Sequence, residues 1–259
     1  ETSSSFAGNS FVVNDTVLDI SAYDQSEDLP PIAPDHLVTI LFTSGSTGKP
    51  EANYKYWGEF VTSSALVAQR FDLNRSSCPA LVATVPPQHM FGLEFSIMLP
   101  LLGYAVLVAG RGFFPEDIRA ILAAVERESI LISTPVHLAS CVRADLAWTP
   151  LVKVISSTAP MESELAAAVE NIFDCPLMEV FGSTETGAIS SRRTVHDKHW
   201  RLLDDIEIRP LENHTVAVKG PQHSDWITLG DQINIVDKFH YESLGRHHDM
   251  VKMAGKRAS

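Results

Sequence analysis

The sequence has 259 residues, of which 45% are hydrophobic, and it carries a formal net charge of -12 at pH 7. This apolar content, at this length, is enough for one large core or two unequal ones, which excludes a disordered chain. The negative charge repels a phosphate backbone, and no basic run in the sequence offsets it. We therefore expect a globular protein with no nucleic-acid partner, in which any nucleotide site is built from backbone amides and a few cations.

The sequence predicts neither export nor a membrane span. Residues 1–10 are polar and lack the basic-then-apolar order of a signal peptide. The most apolar stretch, 95–110, is interrupted by Pro100 and Gly103 and is shorter than the roughly 20 residues that cross a bilayer. We predict a buried helix and a buried strand there. The chain is expected to be cytoplasmic, with reduced thiols at three widely spaced cysteines, Cys78, Cys141 and Cys175.

From Leu37 onward, short apolar runs alternate with helical patterns, which predicts an α/β fold with a sheet covered by helices. Apolar residues recur at helical spacing over 118–125 and over 165–172, and each helix is expected to press one apolar stripe onto the sheet. The strands of this sheet are predicted at Leu37–Phe42, Ala80–Val85, Tyr104–Val108, Ile130–Ser133, Val152–Ser156 and Leu177–Val180.

The pattern changes after about Lys198. Apolar residues then alternate by two at 206–208, 216–218 and 233–235, with Pro and Gly between these runs, which predicts a small β-rich subdomain. We therefore divide the chain into an α/β region over 1–197, a β-rich subdomain over 198–245, and a C-terminal segment over 246–259.

A Ser/Gly-rich loop directly follows the first predicted strand. Its glycines allow backbone N–H groups to approach an anion closely, its hydroxyls add donors, and its lysine adds a positive charge. A Walker A loop needs four residues between its glycines, whereas two separate Gly45 from Gly48, and Pro50 follows the lysine. An ordinary Ser/Gly surface loop is the alternative. The candidate phosphate-binding residues are Thr43, Ser44, Gly45, Ser46, Thr47, Gly48 and Lys49.

Five further segments carry candidate chemistry. The segment 179–187 combines an aromatic ring, a hydroxyl and a carboxylate after a buried strand, and it lacks the nucleophile-elbow pattern around Ser183. Three of the segments also have an ordinary structural explanation instead of a chemical one. His89 could be a hydrogen-bonded structural histidine, Pro160 could simply begin a helix, and Gly-Asp at Asp231 is a common turn. The segments are Pro86–Gly92, Ser157–Pro160, Glu179–Gly187 and Trp226–Asp231, followed by Leu244–Lys252.

These segments, taken in this order, resemble the motifs of the acyl- and aryl-adenylating superfamily, which includes acyl-CoA synthetases, luciferases and the adenylation domains of peptide synthetases. The run from Pro50 to Trp57 looks most like the AMP-ligases found beside aryl polyene and related pigment pathways. The sequence departs from the superfamily pattern at four positions, with Glu51 after the proline, Thr158 for a glycine, Leu229 between the usual Thr-Gly pair and His248 at the hinge.

The resemblance implies ATP and Mg²⁺ as cofactors and assigns a role to each motif. Thr184 is expected to hold the α-phosphate, Glu185 to bind the metal, and His89 to gate the acyl pocket. Residues 43–49 are expected to hold the leaving phosphates, and His248 to act as a hinge. The adenine and ribose residues are Thr158, Ala159, Pro160, Phe181, Gly182, Ser183, Asp231 and Arg246, and the acyl-pocket residues are Met90, Phe91, Gly92, Leu93, Val136 and Gly187.

The implied reaction is adenylation of a carboxylic acid, aromatic and hydroxybenzoate-like or medium-chain, followed by transfer to the thiol of an acyl carrier protein phosphopantetheine or of coenzyme A. The resemblance implies that 1–197 is the nucleotide- and acyl-binding region, incomplete at its N-terminus, and that 246–259 is the hinge and the start of a C-terminal lid. The lid itself, with its catalytic lysine, is expected to be missing, so these 259 residues should not run adenylation at full rate. A degenerate nucleotide-binding module without turnover and an unrelated phosphate-binding hydrolase are the alternatives.

Overall fold

A nine-stranded mixed sheet organises the chain. The computed structural model describes residues 31–43, 50–74, 76–110 and 112–246, together with the backbone of 251–253 and 256–258. In their order across the sheet, the strands are β13 (Asp231–Ile235), β14 (His240–Arg246), β9 (Trp200–Leu202), β8 (Gly187–Arg192), β7 (Leu177–Ser183), β6 (Lys153–Ser156), β5 (Ser129–Ser133), β3 (Ala80–Ala83) and β4 (Val106–Leu107).

The sheet is parallel in one half and antiparallel in the other. Strands β4, β3, β5, β6 and β7 run parallel to one another. From β7 onward the pairings with β8, β9, β14 and β13 are antiparallel. Because parallel strands point the same way, the carboxyl ends of β3, β5, β6 and β7 lie along one edge, where open α/β sheets bind their ligands.

Helices cover both faces of the parallel half. Strand residues alternate between two cores: Ile130 and Ile132 pack with α1 (Trp57–Arg70) and the π-helix (Leu93–Met98), whereas Leu131 packs with α4 (Pro115–Ala123), α5 (Pro135–Arg143) and α6 (Ser163–Phe173). This alternation is the two-residue period of a strand that is buried on both faces. The helices are α1 (Trp57–Arg70), α2 (Met90–Gly92), the π-helix Leu93–Met98, α3 (Leu99–Leu101), α4 (Pro115–Ala123), α5 (Pro135–Arg143) and α6 (Ser163–Phe173).

In the part of the chain that the structure describes, three smaller sheets accompany the large one. The antiparallel hairpin of β1 (Leu37–Thr43) and β2 (Glu51–Tyr56) carries the predicted phosphate loop as its connection. A three-stranded sheet contains β10 (Glu207–Pro210), β11 (Val216–Lys219) and β12 (Ile227–Thr228). The last pair is β15 (Val251–Met253) and β16 (Lys256–Ala258).

The predicted α/β fold class is confirmed, and two of its details are wrong. The strand predicted at Leu37–Phe42 does not join the large sheet, because β1 pairs with β2 alone. The strand within 104–108 is an edge strand rather than a buried one, since Val106 is 44% and Leu107 is 38% exposed. An edge strand has a neighbour on one side alone, so its side chains keep more contact with water.

The β-rich character expected over 198–245 is present, but the strands of this range belong to two sheets. Strands β10, β11 and β12 form their own sheet, whereas β9, β13 and β14 extend the large one. The division of the chain at residues 197 and 245 stays a prediction. Within the part of the chain that the structure describes, none of the helices is long and apolar enough to cross a membrane.

Candidate functional site

The turn between β7 and β8 carries the two residues predicted to hold the α-phosphate and the metal, Thr184 and Glu185. The Thr186 hydroxyl accepts a hydrogen bond from the Ser183 N–H (3.1 Å) and donates one to the carbonyl of Gly187 (2.9 Å). Thr184 and Glu185 are half-buried, whereas Thr186 is buried. The buried hydroxyl therefore closes the turn and leaves the two predicted ligands at its tip.

Lys55 joins this turn to the hairpin of the predicted phosphate loop. It is the one buried residue within the described strand β2, at 5% exposure, and its Nζ donates to the carbonyl oxygen of Glu185 at 2.6 Å. Burial lowers the pKa of Lys55, while the carboxylates of Glu59, Glu94 and Glu185 act in the opposite direction. This bond joins the hairpin that carries the predicted phosphate loop to the turn that carries Thr184 and Glu185, although Lys55 and Glu185 are 130 residues apart in the sequence.

The buried side chains of His223 and Glu94 also hydrogen-bond to the backbone of the turn and of the residue that follows it. His223 Nε2 lies 2.8 Å from the carbonyl oxygen of Thr186, and since a carbonyl only accepts, the imidazole Nε2–H is the donor. Burial lowers the pKa of His223, which favours this neutral form. The Glu94 carboxylate accepts the N–H of Ala188 at 3.1 Å, and burial raises the pKa of this carboxyl group.

The residues predicted for the acyl pocket are brought together in part. A Cβ placed on Gly187 would lie 3.3 Å from the Met90 methyl carbon, so these two residues are neighbours. Gly92 packs so closely on Pro86 that a Cβ on Gly92 would lie 2.1 Å from the Pro86 carbonyl oxygen.

The other predicted acyl-pocket residues are not shown to contact this pair. Phe91 and the half-buried Leu93 continue the same helical segment into the protein, where the Phe91 ring lies 4.9 Å from that of Phe95. His89 and Val136 are exposed, Val136 at 72% in the first turn of α5.

The segment predicted to lie along adenine and ribose follows β6 at the same edge of the sheet. Thr158, Ala159 and Pro160 are exposed, and Thr158 has a φ of 81°. The Ser157 hydroxyl donates to the Val180 carbonyl at 2.8 Å, which fixes this segment beside the end of β7. The ring of Phe181, on β7, is half-buried against Trp200 and Tyr241, with centroids 5.6 and 6.0 Å away.

The two predicted ribose residues on the antiparallel half face each other across a strand pair. Asp231 begins β13 and lies opposite Arg246, the last residue of β14. Leu229, two residues before β13 begins, is buried at 4% exposure, and its N–H donates to the Val216 carbonyl at 2.9 Å. The side chain of Arg246 and residues Ser44–Lys49 and His248 lie outside the described part of the chain.

A large open groove lies away from this site. It has a volume of about 1020 Å³ and runs between the three-stranded sheet and β13. Its described lining includes Leu203, Ile208, Val216 and Phe239 and contains none of the residues predicted to bind nucleotide or acid. The candidate site is therefore the strand-end edge that carries the 183–187 turn.

The sequence reasoning assigned no role to Lys55, Glu94, Glu179 and His223. Lys55 had a detectable signal, because the superfamily that the sequence resembles usually has a lysine directly after the proline, where this chain has Glu51 and then Lys55 four residues further on. Glu94 had a second signal, since a carboxylate inside an apolar helical run must find a partner. His223 and Glu179 act through contacts with residues 37 and 13 to 18 positions away, which no local pattern indicates.

The backbone of the 183–187 turn leaves no space for a side chain at Gly182. A Cβ at this position would lie 2.1 Å from the Gly187 carbonyl oxygen, and that atom belongs to the backbone of the turn and cannot rotate away. We expect Gly182→Ala to lower the free energy of unfolding by about 1–3 kcal/mol through overpacking. The matched control is Gly230→Ala, because nothing lies within 4 Å of a Cβ at Gly230. Equal urea midpoints for the two variants would contradict the prediction.

Solved structures share this fold. The ATP-bound structure of MatB from Rhodopseudomonas palustris matches with a TM-score of 0.73 and 18% identity, covering 92% of this chain and 53% of that one. An AMP complex of O-succinylbenzoate coenzyme A synthetase from Bacillus subtilis matches with a TM-score of 0.72 and 19% identity, covering 87% and 52%. The fold is that of the large N-terminal domain of adenylating enzymes.

Residues 5–227 match the family described as AMP-binding enzyme. Since this match covers most of the sequence, the chain belongs to the AMP-binding enzyme family. Two 4-coumarate–CoA ligases are among its relatives. That of Rhodobacter capsulatus is 33% identical over 159 residues, 60% of this chain and 39% of the relative. That of Halorhodospira halophila is 24% identical over 257 residues, 95% and 61%. The chain thus spans less than two thirds of the length of these relatives.

Proposed function

We propose that the protein activates a carboxylic acid with ATP and passes the acyl group to a thiol. The observation that supports this most strongly is the bond from Lys55 to the Glu185 carbonyl. It brings the hairpin of the predicted phosphate loop against the turn that bears Thr184 and Glu185. Membership of the AMP-binding enzyme family supports the same reading.

The proposed reaction has two half-reactions. A carboxylate oxygen of the acid attacks the α-phosphorus of ATP, the bond from that phosphorus to the bridging oxygen breaks, and pyrophosphate leaves. The product is an acyl adenylate. A thiolate then attacks the acyl carbon, and AMP leaves with the electron pair of the broken carbon–oxygen bond. Protein groups position the reactants and neutralise charge in both steps.

Each group of residues at the site has a proposed role. Thr184 holds the α-phosphate, and residues 43–49 hold the departing pyrophosphate. Phe181 and the 158–160 segment position adenine, while Asp231, opposite Arg246 across β13 and β14, binds the ribose hydroxyls. Gly182 and Ser183 complete the wall of this pocket, His89 gates the acyl end, and His248 is the hinge.

The donor set of the site fits magnesium bound together with nucleotide. Within the described residues, no group of three or more His, Cys, Asp or Glu side chains is placed to hold a metal alone. Mg²⁺ in nucleotide sites is commonly held by one or two carboxylates, with substrate phosphates and water supplying the remaining ligands. Glu185 is the residue that would provide the carboxylate, and bound Mg²⁺ would supply positive charge beside the phosphates.

The acid is proposed to be aromatic and hydroxybenzoate-like, or a medium acyl chain. Met90 and Gly187, which are neighbours, would form its pocket together with Phe91, Gly92, Leu93 and Val136. The names of relatives fit both classes, since they include 4-coumarate–CoA ligase and a medium-chain acyl-CoA ligase of Danio rerio. The thiol is that of coenzyme A or of a carrier-protein phosphopantetheine, and the kinship with pigment-pathway ligases stays a prediction.

Acid-dependent exchange of labelled pyrophosphate into ATP tests this function. The full-length protein is incubated with MgATP, labelled pyrophosphate and one acid at a time, and we expect exchange with one acid class and a low rate without acid. Benzoate, 4-coumarate and octanoate represent the two classes. Exchange that does not depend on an added acid, or none with any acid in a wide panel, would contradict the proposal.

A further inference from the structure

The backbone carbonyl of Thr186 is held by a buried histidine that is not among the residues assigned to substrate binding. His223 Nε2 donates to this carbonyl at 2.8 Å, and the side chain of His223 is 7% exposed. The ring lies in the connection 220–226 between β11 and β12, 37 residues further along the chain than Thr186. A side chain from outside the large sheet therefore reaches the turn that carries Thr184 and Glu185.

The peptide group that follows Thr186 has little steric restraint of its own. Its nitrogen belongs to Gly187, which has a φ of 66°. Glycine enters this region about as readily as the negative range, because it has no Cβ. Sterics within Gly187 therefore leave more than one orientation of this peptide plane open. The His223 bond selects one of them, since it fixes the direction in which the Thr186 carbonyl points.

The peptide group on the other side of Thr186 is fixed as well. Lys55 Nζ donates to the Glu185 carbonyl at 2.6 Å, so a buried side chain holds each of the two peptide planes that flank Thr186. The Thr186 hydroxyl accepts the Ser183 N–H at 3.1 Å and ties this residue to the beginning of the turn. With its backbone held, Glu185 moves its carboxylate by side-chain torsions alone, and a ligand that is already oriented loses less conformational entropy when it binds a metal.

We propose that His223 is a positioning residue for the metal-binding carboxylate, and that its hydrogen bond to Thr186 raises the affinity of the site for ATP that carries Mg²⁺. The inference rests on the proposed function, in which Glu185 holds this metal beside the phosphates. Residues that orient a metal ligand without touching the metal commonly contribute about 10- to 100-fold to metal affinity or activity. His223 meets this description because it acts on the backbone one residue after Glu185.

Proton transfer to a substrate is the other role that a histidine near such a site can have. The contacts of His223 favour positioning instead. Its Nε2 is engaged with the Thr186 carbonyl, and Nδ1 faces Oε1 of Glu59, in the first turn of α1, at 3.9 Å. Burial lowers the pKa of His223, which keeps the ring neutral. Both ring nitrogens thus lie against protein atoms, so the ring acts through the backbone of the turn.

Titration calorimetry on the full-length protein separates positioning of the metal ligand from a general structural role. Binding of ATP is measured with Mg²⁺ and, separately, with EDTA in place of the metal. In His223→Leu we expect Kd for MgATP to rise about 10-fold or more, because Glu185 loses its fixed orientation, while Kd for metal-free ATP stays close to that of the unaltered protein. Equal losses of both affinities, or no loss of either, would overturn the proposal.

A second pair of variants keeps the test decisive if His223→Leu does not fold. Glutamine places its amide nitrogen close to the position of the imidazole Nε2, so His223→Gln should retain the bond to Thr186 and bind MgATP almost as the unaltered protein does. Asparagine is one methylene shorter and does not reach this carbonyl, so His223→Asn should show the weaker MgATP binding. Equal MgATP affinities for these two variants would contradict the positioning role.

His240→Leu is the matched control, since His240 is a partly exposed histidine on β14 whose ring pairs with Asp237 at 3.0 Å on the surface. Its affinity for MgATP should equal that of the unaltered protein. Acid-dependent pyrophosphate exchange is measured alongside. Absence of exchange with every acid, together with MgATP binding that His223→Leu weakens, overturns the proposed function and supports the positioning role, so the two failures are distinguishable.

Discussion

Glu185→Gln will reduce acid-dependent pyrophosphate exchange by about 100- to 1,000-fold, the loss that follows removal of one preorganised electrostatic contact to a transition state. Glutamine keeps the shape of the side chain and removes the charge that would hold the metal beside the phosphates. It also keeps the Glu185 backbone carbonyl that binds Lys55, so the turn itself should stay in place. The measurement is kcat/KM for exchange under saturating MgATP, with the full-length protein.

The control for this prediction is Glu126→Gln, which removes the same charge from an exposed position after α4. Its exchange rate should match that of the unaltered protein, and both variants should show unchanged circular dichroism and urea midpoints. If Glu185→Gln exchanges at the rate of Glu126→Gln, then Glu185 is not the metal-binding carboxylate. A loss of exchange accompanied by a lower urea midpoint would indicate a structural role for the side chain instead.

Glu179→Gln will lower the free energy of unfolding by about 3–5 kcal/mol, the cost of breaking a buried ion pair by neutralising one partner. Glu179 is 2% exposed, and its carboxylate accepts hydrogen bonds from Arg192 Nε at 2.7 Å and from the Met161 N–H at 2.9 Å. The Thr194 hydroxyl is a third donor. An amide NH₂ would face these donors and leave the Arg192 guanidinium, packed over Trp200, without a counter-charge.

The comparison for this substitution is Glu116→Gln. Glu116 pairs with Arg119 at 3.0 Å on the surface of α4, where its side chain is 64% exposed. Such exposed pairs contribute about 0–1 kcal/mol, so this variant should unfold almost like the unaltered chain. Urea denaturation of both variants, followed by fluorescence of the four tryptophans, gives the difference. Equal midpoints would mean that the Glu179 network adds nothing to stability.

Elements with regular apolar spacing could be predicted from the sequence, and those without it could not. The helices near Ile118 and Val169 and the central strands bury apolar residues at every inward position, so their period is visible. Helix α1 was missed because Ser63 and Ser64 occupy buried positions on its inner face and interrupt the apolar pattern. Strand β2 was missed because its hairpin is mostly exposed, and its one buried residue is a lysine.

For the proposed site, the sequence predicts residues with chemical roles but not the contacts that position them. Glu185 and Asp231 can be recognised in the sequence because their motifs are short and continuous. The residues that position the turn are far away in the sequence: Glu94 hydrogen-bonds to Ala188, 94 positions away, and Lys55 hydrogen-bonds to Glu185, 130 positions away. Contacts at such separations depend on how the sheet is assembled, so a single sequence gives no direct sign of them.

The alternation of strand residues between the two cores limits where this chain tolerates a change of length. One residue inserted into or deleted from β5 would turn Ile130, Leu131 and Ile132 to the opposite layers and rotate every side chain beyond them. The connection 144–152, between α5 and β6, lies at the far end of the strands from the candidate site, and within it Trp148 packs on Phe173 whereas Thr149 and Pro150 are exposed. Tags, linkers or family-specific insertions therefore belong in that connection, where an added residue alters the register of neither layer.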